Sequence, residues 1–342
     1  MNDGAGTRLR RSSADLSFSS LKKLVTGRFE VCSPVATALL RLDVMLRDFG
    51  YAILQERMRR IARSIGLAVC AAVAPTAALG QLLATGHVVN GHYHFNASDI
   101  DEHLRFWVGT LGGTAGTFGN DVPIVLFPNA LLFMREQDPT GPMIGSTVNH
   151  VAFSVRDLRA TVDGFVAAGY EMVTDTHAPP GVEVVDDIGI LEGGGPVSGV
   201  AYVIGPDGIK VGVLEIRAQE QPIVSHHIHF FGEDREEMRA WYVDVFGATE
   251  RRDTVDAFVG ADLPGLGLNF SSEAGMAGTA GRVLDHIGFE VEGLETFTRG
   301  LEAKGITLDV PYRESQMGLG LAFMTDPWGT YIELTEGLAE IR

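Results

Sequence analysis

From residue 87 onward two hydrophobic rhythms alternate along the chain. Short segments in which every second residue is apolar read as half-buried strands, and stretches with apolar residues at i, i+3, i+4 and i+7 read as amphipathic helices. The succession occurs four times: GHYHFNASDIDEHLRFWVGTLGG at 91, NHVAFSVRDLRATVDGFVAAGYE at 149, HHIHFFGEDREEMRAWYVDVFGA at 226 and DHIGFEVEGLETFTRGLEAKGIT at 285. A repeat at this spacing marks one structural unit used four times. Alignment puts His92, His150, His227 and His286 at one position, with Asp99, Asp157, Asp234 and Gly293 seven residues on. In the third copy His227, His229 and Phe231 fall on one strand face, and Ile228 and Phe230 on the other. Met238, Trp241, Tyr242 and Val245 form the following helical stripe. The acids suit helix N-termini, where a carboxylate accepts free backbone N–H groups, and Gly112, Gly169, Gly247 and Gly305 suit helix ends. Gly-punctuated apolar runs such as PIVLFPNALLFM at 123 follow each helix and predict antiparallel strands. Each unit is therefore βαβββ, and the fold class is α+β.

Composition changes the picture at the N-terminus. The whole chain of 342 residues carries a formal charge of −17, but residues 1–80 hold 12 Lys+Arg against 6 Asp+Glu, a local +6 that leaves −23 for the rest. So acidic a protein lacks the basic footprint that a nucleic-acid partner requires. The two cysteines, Cys32 and Cys70, both fall in the basic part and provide neither a disulfide framework nor a thiolate cluster. Residues 58–80, MRRIARSIGLAVCAAVAPTAALG, run from arginines through a short apolar stretch to small residues, the order of a secretory signal peptide, with an amphipathic or buried N-terminal helix as the plain alternative. The expectation is that Met58 is the native start, that residues 1–57 are a non-native or disordered extension, and that the mature protein is periplasmic or secreted, free of cysteine and without a membrane anchor. A cytoplasmic location is the alternative if 58–80 is not a signal.

The repeats resemble the vicinal oxygen chelate superfamily, which includes glyoxalase I, bleomycin- and fosfomycin-resistance proteins and type I extradiol dioxygenases. The most specific stretch is Asp326-Pro327-Trp328-Gly329-Thr330-Tyr331-Ile332-Glu333-Leu334, similar to that family's closing D-P-x-G…E strand. The resemblance covers about residues 87–338 and implies four modules in two cupped-sheet, glyoxalase-like domains, 87–218 and 222–338, with the second bearing a metal.

Carried over residue by residue, the resemblance implies His227, His286 and Glu333 as ligands, a two-histidine, one-carboxylate set that suits Fe2+, Mn2+, Ni2+ or Zn2+ and leaves positions open for substrate. His229 shares a strand face with His227 and is a candidate acid–base residue, as is Tyr312. Asn269 stands where a fourth ligand would fall and, with Arg313, is a candidate substrate contact; His226 faces away. His92 and His150 are read as a vestigial first-domain site, because counting from Gly208 places Gly212 where a ligand carboxylate belongs and Glu215 on the wrong face. The implied activity is a metal-dependent reaction on a small oxygen-bearing substrate, either dioxygenase-like or of the lyase/isomerase type. Ring cleavage lacks its usual acid–base residue here, since Glu314, Ser315 and Gln316 occupy the His region and Phe323 the Tyr position. The alternative is a small-molecule-binding, sequestering protein without catalysis. The sequence leaves substrate, metal identity and homo-oligomerisation open.

Overall fold

The computed structural model describes residues 86–119, 121–191, 195–252 and 257–338; the leader and extension expected within 1–80 lie outside them. The four repeats fold as the alternation predicts. The first unit comprises β1 (Val88–Ala97), α1 (Ile100–Leu104, continued as a wider π-helical turn over Arg105–Thr110), β2 (Thr114–Phe118), β3 (Val122–Phe127) and β4 (Ala130–Glu136). The second runs β5 (Val148–Val155), α2 (Leu158–Ala168), β6 (Glu171–Met172), α3 (Thr174–His177), β7 (Glu183–Val185), β8 (Ile188–Ile190), β9 (Gly199–Ile204) and β10 (Lys210–Glu215). Its short helix and the β7–β8 hairpin account for the longer interval to the third histidine. The third is β11 (Ile223–Gly232), α4 (Arg235–Phe246), β12 (Thr249–Arg251), β13 (Val259–Leu263) and β14 (Leu266–Ser272). The fourth is β15 (Leu284–Val291), α5 (Leu294–Ala303), β16 (Val310–Glu314), β17 (Gly320–Thr325) and β18 (Tyr331–Glu336).

The helix signals read from sequence act as expected. Asp99, Asp157 and Asp234 each accept a hydrogen bond from a backbone N–H of the first helical turn, and Gly169 and Gly247 close α2 and α4 in the left-handed region. Strand alternation also holds. Tyr93, Phe95, Phe153, Ile228, Phe230, Ile287 and Phe289 all enter one continuous core. Their neighbours of opposite parity, the histidines, face the other side of each sheet.

The pairing of the units differs from the expected one. The strands form two sheets, ordered β16-β17-β18-β15-β1-β4-β3-β2 and β12-β13-β14-β11-β5-β10-β9-β8-β7, with β6 paired to β9. The first unit thus joins the fourth through an antiparallel β1–β15 ladder, and the second joins the third through β5–β11. The expected division into 87–218 and 222–338 does not match these sheets. Consecutive units do touch, but through their helices. Trp107 of the α1 segment packs on Phe153 of β5, with ring centroids 6.0 Å apart, and Phe246 of α4 packs on Phe289 of β15 at 4.8 Å. Helices from neighbouring units fill the core between the sheets, while the strand edges find partners further along the chain. A polar tie crosses between the sheets where Tyr93 Oη meets Ser225 Oγ at 2.8 Å.

Candidate functional site

Each sheet collects histidines on the face turned away from the common core. In the first sheet β1 presents His92 and His94, β15 presents His286 and β18 presents Glu333. The ladder sets His94 opposite His286 and His92 opposite Gly288. Glycine is required at 288 because a Cβ there would overlap the His92 ring. His92 Nε2 and His286 Nε2 each donate to the same oxygen, Oε2 of Glu333, at 2.9 Å. The three side chains offer one ligand atom each, all within 4.8 Å of one another.

The surroundings favour ligation. Asp285 Oδ1 accepts from His286 Nδ1 at 2.7 Å, so the nitrogen facing Glu333 is fixed by a carboxylate behind the ring, the usual outer partner of a metal-binding imidazole. Asp285 is itself held by the Gly281 backbone N–H and by Arg135. Burial opposes charge on His286, but the bonds to Asp285 and Glu333 outweigh it and raise its proton affinity. Partial burial opposes charge on Glu333 as well, yet the neighbouring His92 and His286 hold its carboxyl far below the ordinary carboxylate range. A deprotonated carboxylate beside two imidazole nitrogens suits a divalent first-row ion. Two buried ring nitrogens of this cluster, His92 Nδ1 and His94 Nε2, have no hydrogen-bond partner among the described residues. The His94 ring lies 4.6 Å from that of His286, and burial pushes its pKa down to about 3, so it stays neutral. Phe133, Phe323 and Tyr331 pack against the histidine rings and give the centre an apolar wall.

The second sheet gathers His150 from β5 with His227 and His229 from β11, again within 4.8 Å. Among the described residues no carboxylate joins them. The position matching Glu333 is Gly212, where a Cβ would lie 3.2 Å from His150 Cδ2. Glu215 turns away and binds the Leu158 backbone N–H at the start of α2, as its parity predicts. Burial, then neighbouring cations, lowers the basicity of all three rings, to about 3 for His229. These histidines line a cavity of about 1060 Å³ together with Lys210, Arg251, Asn269 and Ser271.

Comparison with known proteins agrees with this architecture. Residues 224–334 match the Glyoxalase/Bleomycin resistance protein/Dioxygenase superfamily. The match spans the third and fourth units, and it is this part of the chain that is similar to the superfamily. The fold of the chain is similar to that of glyoxalase I from Zea mays, with a TM-score of 0.57 at 13% identity over 74% of this chain and 94% of that one. It is also similar to that of a protein from Bacillus subtilis named as a candidate dioxygenase, with a TM-score of 0.51 at 11% identity over 73% and 87% of the two chains. A search of curated proteins found no match.

Within this superfamily fold, the sequence-derived ligand set divides between the two sheets. His286 and Glu333 come together as expected, but the third member is His92, while His227 sits in the other cup with His150 and His229. His92 and His150 do not share a site. The cause is the pairing of the units, since each cup takes one opening strand from each of two units and β1 lies beside β15. Asn269 lines the second cavity, where Arg251 donates to its Oδ1. His226 lines that cavity too, because a bulge between Ser225 and His227 breaks the alternation that would turn it away. Tyr312 packs on the fringe of the common core rather than in the first cup, and Arg313 is exposed on edge strand β16. Sequence reasoning did not single out Asp285, Tyr331, Lys210 and Arg251. Only Asp285 left a signal, as an acid adjoining an aligned histidine.

Proposed function

We propose that this protein is a divalent-metal-dependent enzyme acting on a small oxygen-bearing substrate, with its centre at His92, His286 and Glu333. The observation that carries this reading is the single, largely buried carboxylate oxygen bracketed by two imidazole nitrogens at 2.9 Å. A bound divalent ion would act there as a Lewis acid, holding adjacent substrate oxygens and stabilising negative charge that develops on them. Glu333 supplies the anionic ligand. Asp285 orients His286 and Arg135 anchors Asp285. Phe133, Phe323 and Tyr331 keep water from the reacting atoms, which strengthens the electrostatics of the site. His94 brings a neutral ring nitrogen beside the centre, able to accept a proton from a substrate hydroxyl.

His94 also bears on the reaction class. The acid–base residue that ring cleavage wants is missing from positions 314–316, but the half-buried His94 imidazole reaches the centre from β1 instead. Dioxygen-dependent cleavage of a catechol is therefore the first reaction to test, ahead of lyase or isomerase chemistry. Protein purified and reloaded with Fe2+ should consume dioxygen when given catechols, and His94→Phe should lower kcat by about a hundredfold or more while leaving metal content unchanged. Failure to bind Fe2+, Mn2+, Ni2+ or Zn2+ at micromolar concentration would overturn the metal-enzyme reading and favour sequestration of a small molecule. Export by the 58–80 leader is part of the proposal, and N-terminal sequencing of protein from its native host should find a mature chain beginning near Gln81.

A further inference from the structure

The second cup is unlike the first in its charge. Lys210 is only 3% exposed, projects from β10 into the cavity, and donates from Nζ to Asn149 Oδ1 at 2.8 Å. Its other neighbour is the Tyr202 ring, 4.8 Å from Nζ. Among the described residues no carboxylate stands within ion-pair distance of this ammonium, and Glu273 acts on it only at longer range. A buried cation without a counter-charge is costly, and burial accordingly lowers the Lys210 pKa to about 7, so its full charge is held only when an anion stands beside it. Elsewhere in the described lining Arg251 and Asp262 pair with each other, so Asp262 does not serve as the counter-charge of Lys210. Beside Lys210, His150 Nε2 is buried with no hydrogen-bond partner.

Much of the rest of the wall is apolar, with Pro179, Leu191, Val200, Leu214, Phe258 and Leu266. A cavity of about 1060 Å³ is at the upper end of the range of roughly 300–1,000 Å³ typical of small-molecule sites. We infer that the second cup is a binding site for an apolar small molecule bearing a carboxylate, with Lys210 as the counter-ion and His150 Nε2 as a further hydrogen-bonding partner. The three imidazoles alone would suit a cation. They stand beside Lys210 and lack the carboxylate of the first cup, so an anion matches the charge of the cavity and a metal does not.

The test uses the full chain and two probes of similar size, 2-naphthoate and 2-naphthylmethanol, titrated by calorimetry. Wild-type protein should bind one equivalent of 2-naphthoate saturably and bind the alcohol at least tenfold more weakly. Lys210→Met should weaken 2-naphthoate binding at least tenfold, abolish the rise in Tm that the ligand produces, and leave metal uptake at His92, His286 and Glu333 unaltered. Equal affinity for acid and alcohol, undiminished 2-naphthoate binding by Lys210→Met, or no saturable binding at millimolar concentration would overturn the inference. The acid–alcohol comparison needs no variant, so it decides the matter even if Lys210→Met does not fold. Because this cup shares no ligand with the candidate metal centre, metal binding and naphthoate binding can fail independently.

Discussion

Glu333 is the residue on which the first cup turns. Its Oε2 receives both imidazoles, and its replacement by glutamine keeps the shape but removes the charge. Metal affinity measured by titration calorimetry should fall about tenfold or more in Glu333→Gln, whereas His227→Ala, in the other sheet, should leave it unchanged. The second outcome separates the observed trio from the one implied by the repeat alignment. Asp285 offers a test by pH. Burial would raise its pKa, but the hydrogen bonds from His286 and Gly281 prevail and hold it down at about 2. A carboxylate held below its unfolded value adds stability above that value and loses it as pH falls through the folded one. The wild type should therefore lose about 2 kcal/mol between about pH 4 and pH 2 that Asp285→Asn does not, read from urea unfolding at each pH. At this scale much was legible. The repeat alignment put His92 and His286 at one position and the family resemblance implied His286 and Glu333 as ligands, but with His227 as the third member and His92 in a separate site. Lys210 and Arg251 were not singled out, since a single basic residue in an alternating strand carries no mark of what it faces.

Among the elements, the β1–β15 ladder decides which side chains can meet. Where one strand carries His-x-His, its partner carries His-x-small: His92 and His94 against His286 and Gly288, His227 and His229 against His150 and Ala152. The small residue makes room for the ring opposite. Gly288→Ala should therefore displace His92, costing roughly 1–3 kcal/mol by overpacking and weakening metal binding, whereas substitution at exposed Gly300, beside which a Cβ meets nothing within 4 Å, should leave metal binding intact. The same rule shows why the partner of each unit was not legible. Units one and two satisfy it as well as units one and four do, and so do units three and four. Helix positions depend on local caps and stripes, and those were read correctly; strand partners depend on contacts far apart in sequence, which periodicity does not encode.

For the molecule as a whole, the pairing is testable without reference to activity. In a background lacking Cys32 and Cys70, Val88→Cys with Val291→Cys places thiols at opposed positions of the β1–β15 ladder. Mild oxidation should join them, as peptide mass analysis would show, while Val88→Cys with Val155→Cys, the equivalent pair if consecutive units shared a sheet, should remain reduced. The two sheets also divide the chemistry. One cup is anionic at its centre and suited to a cation; the other is cationic and suited to an anion. Within a common scaffold the difference arises from which residue stands at the closing-strand position, Glu333 or Gly212, and from the lysine two residues before the glycine.

His92 and Glu333 lie 241 positions apart. During synthesis the first imidazole is made well before the carboxylate that completes the proposed set, so no product that stops short of Glu333 holds all three side chains. The helices of consecutive units can pack as they emerge, but the sheet that carries the centre closes only when its last strand arrives. On the proposed reading, ion acquisition follows the closing of that sheet. The ion would then be drawn from the metals available where the sheet closes, not from those present where synthesis begins.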